Sequence, residues 1–237
     1  MSNKKFFQSN DKLPQFLSFD FSEYQIDPKF QNKNLSFYDY YLALANIVPH
    51  NFESYAICLQ PIGYHQNGQY IEPKTRKSLF EAFEILLNDD IDLDDLCHLE
   101  SELFQKCGLL LCTSNGDCSD LQFNFMIDTL KNLVDNDIYY YYELLKIIGY
   151  SEYDYNTISE LLFKGEILTH QELQHYSKIH TQPTLLFDDS EKWVIATEYD
   201  VPYTFIGGEK YFVERFLNSE YEIYPITPKY QWIKKYD

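Results

Sequence analysis

The chain has 237 residues, 45 % of them apolar, enough to bury the core of one large domain or two small lobes. Its 19 Lys and Arg stand against 37 Asp and Glu, a formal net charge of −18. That charge argues against nucleic acid, whose phosphates need a basic surface, and against anionic membranes. It favours a basic protein partner, because complementary charge speeds encounter and selects partners.

Residues 1–35 are polar with scattered Phe, and read as an extended arm that packs Phe16, Phe19 and Phe21 on the body. Residues 36–237 read as a single α+β domain, with a lobe joint near 150–156. Ser36 with Asp39 caps a helix over Phe37–Ile47, ended by Pro49. Tyr55–Gln60 is a short strand, closed by Pro61 and Gly63, and Asn67-Gly68 marks a hairpin turn. Thr75 caps a helix whose stripe is Leu79, Phe80, Phe83, Leu86 and Leu87. Asp92 caps another, with Leu96, Leu99 and Leu103 inside and Gly108 past its end. Leu109–Cys112 is a buried strand, and Asn115, Gly116 and Asp117 turn the chain.

Ser119 with Gln122 forms a capping box for a helix to about Val134. Asp137 caps a predicted helix from Ile138 to Ile148, in which the run Tyr139–Tyr142 covers every side of a turn. Thr157 with Glu160 opens a short helix ended by Gly165, and Thr169 with Glu172 opens a second, with Pro183 beyond it. Leu185–Phe187 is a strand. The last stretch, Lys192–Ile226, reads as strand, turn, strand, helix, strand: Trp193–Thr197, a turn at Asp200-Val201-Pro202, and Tyr203–Ile206 ended by Gly207-Gly208. The helix that follows buries Phe212, Val213, Phe216 and Leu217, and Tyr221–Ile226 closes the module. The tail KYQWIKKYD is locally basic and suited to lie back on the acidic body. Helices in the middle and strands at the end predict a mixed β-sheet flanked by helices.

The cysteines are Cys58, Cys97, Cys107, Cys112 and Cys118, an odd number without a CxxC pair. MSNKKFFQSNDKLPQF has no apolar leader, and no apolar run reaches the roughly 20 residues of a membrane span. These features predict a cytoplasmic protein with reduced thiols.

The densest acidic cluster is Asp89, Asp90, Asp92, Asp94 and Asp95. As a calcium loop from Asp90 it has Asp95 where the turn glycine belongs and Ser101 where the bidentate glutamate belongs. These aspartates suit a helix N-terminus or an anionic patch for a basic partner. His170, His175 and His180 recur every five residues, so neighbours on a helix lie about 140° apart and cannot converge on a metal. Gly207-Gly208 precedes a helix, where phosphates bind, but Glu209 places a carboxylate there. Cys118 lies near a helix N-terminus, a place that lowers a thiol pKa, with no histidine close in sequence. No metal or cofactor is predicted. The exposed members of the tyrosine run, with Tyr139 and Tyr140 foremost, join the aspartates as predicted partner-contact residues.

The closing module, through Trp193, Asp200, Phe205, Ile206, Gly207 and Glu222, resembles bacterial immunity proteins of polymorphic toxin systems and the related YwbB-like uncharacterised family. The resemblance covers about 35 of the 237 residues. It implies a small acidic cytoplasmic protein without enzymatic chemistry, and carries over no catalytic residue. The expectation is therefore a non-enzymatic binding protein, an immunity-type inhibitor of a basic toxin or other basic protein. The alternatives are an enzyme whose carboxylate or cysteine site assembles only in three dimensions, and a structural or oligomerisation module.

Overall fold

A computed structural model describes residues 5–14, 17, 24–26, 52–60, 62–66, 69–82, 84–85, 101–105, 110–112, 118–143, 160–197, 203–217, 219, 221–226 and 233–235. The predicted helix over Phe37–Ile47, the turns at Asn115–Asp117 and Asp200–Pro202, and the joint near 150–156 lie outside these residues, as do Phe16, Phe19 and Phe21.

The body is an eight-stranded sheet in the order β1-β8-β7-β9-β10-β11-β3-β12. Its strands are β1 (Phe6–Gln8), β3 (Ser54–Leu59), β7 (Ile138–Tyr142), β8 (Leu161–Gly165), β9 (Leu185–Phe187), β10 (Trp193–Thr197), β11 (Tyr203–Gly208) and β12 (Ile223–Ile226). Every pairing in it is antiparallel. The fold is thus α+β as predicted, but this sheet is not mixed. A second, three-stranded sheet joins β4 (Ile62–Gln66), β5 (Gln69–Lys74) and β6 (Leu110–Cys112). Gln66 stands opposite Gln69, so β4 and β5 pair as neighbours in the chain; the predicted turn at Asn67-Gly68 itself lies outside the described residues. Gly63 lies inside β4 rather than closing the strand before it. β2 (Tyr24–Ile26) pairs with β13 (Ile233–Lys235).

The helices are α1 (Arg76–Ala82), α2 (Asp120–Lys131), α3 (His170–Ser177) and α4 (Lys210–Leu217), and residues 101–105 are also helical. α2 and α3 start on the capping boxes read from the sequence: Ser119 with Gln122, and Thr169 with Glu172. α1 stops earlier than its apolar stripe suggests. Glu84 takes φ 58°, its N–H bonds the Glu81 carbonyl and the Ile85 N–H bonds the Phe80 carbonyl, the pattern of a Schellman C-cap. Ile85 carries a buried apolar side chain beyond the cap.

Two predicted helices are strands. Ile138–Tyr142 is β7 and Leu161–Gly165 is β8, paired as a ladder from Ile138↔Gly165 to Tyr142↔Leu161. The run IYYYY is β-branched and aromatic, and it is buried on both sides of the sheet, where a continuous apolar run suits a strand as well as a helix. Phe6–Gln8, within the predicted arm, forms β1 at the sheet edge, with Phe6 stacked on Phe163 at 5.0 Å. Gly165 lets it approach: a Cβ there would lie 2.2 Å from the Lys5 carbonyl oxygen.

The closing module keeps its order, but β12 does not pair with β11. β3 comes from far back in the chain and inserts between them. Gly207 and Gly208 end β11 rather than break it. A Cβ on Gly208 would meet Phe212 at 2.9 Å and Trp193 at 3.2 Å, so glycine allows α4 to close on the sheet.

The strands alternate side chains between two buried faces. One face carries Ala56, Tyr140, Tyr142, Phe163, Ile195 and Ile206 under α2, α3 and α4, through Ile127, Leu173 and Phe216 among others. The opposite face carries Tyr55, Ile57, Tyr139, Phe187, Tyr203 and Phe205, with Leu13 and Leu17 of the arm against it.

Candidate functional site

Tyr139 and Tyr140 are neighbours on β7, so they point to opposite faces of the sheet. Tyr140 is fully buried under the helices. Its hydroxyl donates to the Glu166 carbonyl and accepts from the Leu168 N–H, both at 2.8 Å. Tyr139 buries its ring on the opposite face, stacked on Phe187 at 4.9 Å. The two cannot form one contact surface, and neither presents an exposed ring. The expectation of exposed tyrosines fails because a strand, not a helix, carries them. Asp89, Asp90, Asp92, Asp94 and Asp95 lie outside the described residues.

Only the Tyr139 hydroxyl reaches the rim, where it meets groups from three distant stretches. Lys164 Nζ donates to it at 2.8 Å, and it donates to Asp189 Oδ1 at 2.9 Å, with Asp11 Oδ2 at 3.2 Å. Lys164 Nζ also pairs with Asp189 Oδ2 at 2.6 Å and lies 4.3 Å from the centre of the Tyr139 ring. The ladder sets this up by placing Lys164 opposite Tyr139 and Phe187 opposite Tyr139 on the other side. Burial pushes the Tyr139 phenol up, the Lys164 hydrogen bond pulls it back, and the Asp189 contact raises it again, leaving it above its ordinary value. Burial works against the Lys164 ammonium, but its bonds to Asp189 and Tyr139 outweigh that, and its pKa lies above the usual lysine range. Asp189 is held below its ordinary value, first by Lys164. Tyr139 is therefore a protonated donor locked to an ion pair, not a tyrosinate base.

At the other end of the same ladder, Glu143 follows Tyr142 and Glu160 precedes Leu161, close enough for the two carboxyls to repel each other. Burial first, and Glu160 second, push the Glu143 carboxyl up. Tyr141, on the same face two residues earlier, hydrogen-bonds Glu160 and is pushed up by burial and both carboxylates.

The other polar groups read from the sequence serve the fold. Cys118 is buried, its thiol donates to Gln182 Oε1 at 3.0 Å, and Gln182 clamps the Cys118 backbone through its N–H at 3.0 Å and its carbonyl at 2.8 Å. Cys58 is fully buried and burial pushes its thiol up to about 12, so neither thiol has a reactive setting. His170 Nδ1 lies 2.6 Å from Asp120 Oδ1 and its Nε2 3.2 Å from Gln174, tying α3 to the start of α2. His175 and His180 are exposed apart from it. No group of three or more potential metal-ligating side chains occurs among the described residues. The N-terminus of α4 is taken by the chain's own Glu53, which accepts from the Lys210 N–H at 3.0 Å, while Glu209 pairs with Lys192 at 3.1 Å. Glu222 caps α1, accepting from the Arg76 and Lys77 N–H groups at 2.8 and 2.6 Å. Arg76 is buried, donates to the Gln60 carbonyl at 2.7 Å and lies over the Tyr203 ring. Burial raises the Glu222 carboxyl, against the pull of those two N–H groups and of the Arg76 guanidinium.

Lys164, Asp189, Glu143 and Glu160 carry no local signature. The signal that could have found them is the pairing itself: once Ile138–Tyr142 and Leu161–Gly165 are read as a ladder, Lys164 falls opposite Tyr139, and Glu143 and Glu160 follow at its other end. No helix among the described residues is long and apolar enough to cross a membrane. Comparison of the chain with protein-family models, curated proteins and solved structures found no match, so none bears on the resemblance of the closing module.

Proposed function

We propose that the chain is a non-enzymatic acidic binding protein, an immunity-type inhibitor that docks on a basic toxin domain or other basic protein in the cytoplasm. The observation that carries this reading is the net charge of −18 on a chain with a large apolar core. Four of the described lysines add to its weight: Lys131, Lys164, Lys192 and Lys210 each pair with a carboxylate of the chain itself. The surplus carboxylates then act outward, raising the local concentration of a cationic partner and steering its approach. The Asp89–Asp95 run is the first candidate for the contact. The closed bonding of Cys118, His170 and Tyr139 is in keeping with a protein that performs no chemistry. One observation favours the enzyme reading instead, the raised Glu143 carboxyl facing Glu160, a pairing suited to proton transfer.

The test uses the purified chain as bait in lysate of its source organism, at about 50 mM and about 500 mM salt, conditions that differ strongly in screening length. A basic protein retained at low salt and released at high salt supports the binding reading. No retained protein, together with a small molecule that the chain turns over and that Glu143→Gln leaves unconverted, overturns it in favour of the enzyme.

A further inference from the structure

The eight-stranded sheet has two end strands, β1 and β12, and they are finished differently. On β12 the Leu59 N–H bonds the Glu222 carbonyl, so the antiparallel alternation turns Ile223 and Pro225 outward. Pro225 has no N–H to offer, and the Ile223 N–H bonds the Tyr221 carbonyl at 2.8 Å. The described residues of that edge present no free donor. On β1 the Ser9 N–H bonds the Leu162 carbonyl at 2.8 Å, and the Glu166 N–H bonds the Lys5 carbonyl at 2.9 Å. Lys5, Phe7 and Ser9 therefore turn their backbone groups to β8, and those of Phe6 and Gln8 point away from it. Among the described residues nothing bonds the outward groups of Phe6 and Gln8.

The same edge carries rings that a further strand would cover. Phe7 is 53 % exposed, and Tyr176 of α3, 44 % exposed, has its ring 6.0 Å from that of Phe6. The charges around β1 balance, Lys5, Lys12 and Lys164 against Asp11, Glu166 and Asp189, on a chain of net charge −18. A basic segment gains little attraction from such a strip, and another copy meets no local repulsion there.

We infer that β1 is a docking edge for a second copy of this chain, joined antiparallel about a two-fold axis at Phe7. On that axis Phe6 of one copy stands opposite Gln8 of the other, and each such pair exchanges both N–H···O bonds. The two Phe7 rings meet at the non-hydrogen-bonded position, where cross-strand side chains come closest. Lys5 falls opposite Ser9, whose hydroxyl holds Asp11 Oδ2 at 2.6 Å, so a cation of each copy lies near a carboxylate of the other. The register is self-complementary, as a two-fold contact requires. This partner is additional to a basic one and rests on the sheet edge, not on the surplus charge. The surplus opposes it, since two chains of net charge −18 repel outside the contact. Salt should therefore strengthen this association, whereas it weakens capture of a basic protein.

The test is sedimentation velocity of the full chain from about 1 μM to about 1 mM, at about 50 mM and about 500 mM salt. A dimer is expected, with Kd falling by roughly threefold or more at the higher salt. Amide exchange should show the Phe6 and Gln8 N–H groups gaining protection with concentration, by roughly tenfold or more. Ser9, already bonded to β8, should stay unchanged. Gln8→Pro deletes an outward donor, as Pro225 does on β12, and Phe7→Lys sets like charges on the axis. Each should raise Kd by roughly tenfold or more, with Ser9 still protected. A chain that stays monomeric to about 1 mM in both salts overturns the proposal. So does a dimer that both variants leave intact, or one in which the Phe6 and Gln8 amides stay unprotected. Protection of those amides by a lysine-rich peptide at low salt, in a chain that stays monomeric, overturns it in favour of a basic occupant.

Discussion

The two faces of the main sheet are made by the same strands and differ in what lies at their edges. The face under α2, α3 and α4 is sealed: its central hydroxyl, that of Tyr140, spends both of its bonds on backbone groups. The opposite face also buries rings but ends in charge, with Lys164, Asp189 and Asp11 at one end of the β7–β8 ladder and Glu143 and Glu160 at the other. Burial alone does not mark the faces apart. One face fixes the fold, and the rim of the other is where charge can change at small cost.

The largest effects should fall on both faces alike. Phe216 and Phe187 are fully buried on opposite faces. Phe216→Ala and Phe187→Ala should each lower unfolding free energy by about 3–5 kcal/mol in urea titrations. A cost under about 1 kcal/mol for Phe187→Ala would break the claim that the second face is core. Next comes Gly165→Ala, whose Cβ would meet the Lys5 carbonyl and, at 2.8 Å, the Phe6 Cα, both backbone atoms. It should cost about 1–3 kcal/mol and release β1, seen as lost exchange protection at Phe6 and Gln8 with β11 unchanged.

The sharpest contrast between the faces is a single oxygen. Tyr140→Phe strands the buried Leu168 N–H and should cost about 1–3 kcal/mol. Tyr139→Phe removes a rim hydroxyl beside an ion pair and should cost about 1 kcal/mol or less. Equal costs would erase the distinction. The smallest effect is the one that depends on pH. Glu143 is raised in the folded state by burial and by Glu160, so folding favours its protonated form. Its contribution is full below the ordinary carboxyl pKa and is lost as pH rises through the raised folded value. Glu143→Gln should therefore match the wild type near about pH 4 and be more stable near about pH 7, by a few tenths of a kcal/mol, roughly the size of an opposed like-charge pair. A variant less stable than wild type at neutral pH would show that the carboxylate is held there by a favourable partner.

Local signals carried the reading of the fold where one signal had one meaning. Ser119 with Gln122, and Thr169 with Glu172, bind reciprocally as capping boxes, and Trp193–Thr197 and Tyr203–Ile206 are strands. Ile138–Tyr142 had two meanings, since a run of rings fits a buried strand and a helical turn equally, and Asp137 looked like a cap. Only the partners β8 and β9 decide between them, and they lie about 20 to 50 residues away in sequence. The same distance hid the insertion of β3 between β11 and β12. Misreading β7 also misplaced Tyr139 and Tyr140, because a strand sends neighbours to opposite faces. The rim charges stayed hidden because each is ordinary until the ladder sets it beside its partner. The acidic run Asp89–Asp95 was legible as charge, which a sequence states outright, but not as a surface.

The central claim is that surplus negative charge recruits a basic partner. It is tested most directly by replacing Asp89, Asp90, Asp92, Asp94 and Asp95 together with Asn and repeating the capture from lysate at about 50 mM salt, where screening is weak. The wild type is expected to retain a basic protein which the neutralised chain, folded by its β11 exchange protection, does not. Equal retention by the two chains would contradict the assignment of the contact to that run. Retention of nothing by the wild type would contradict the claim itself.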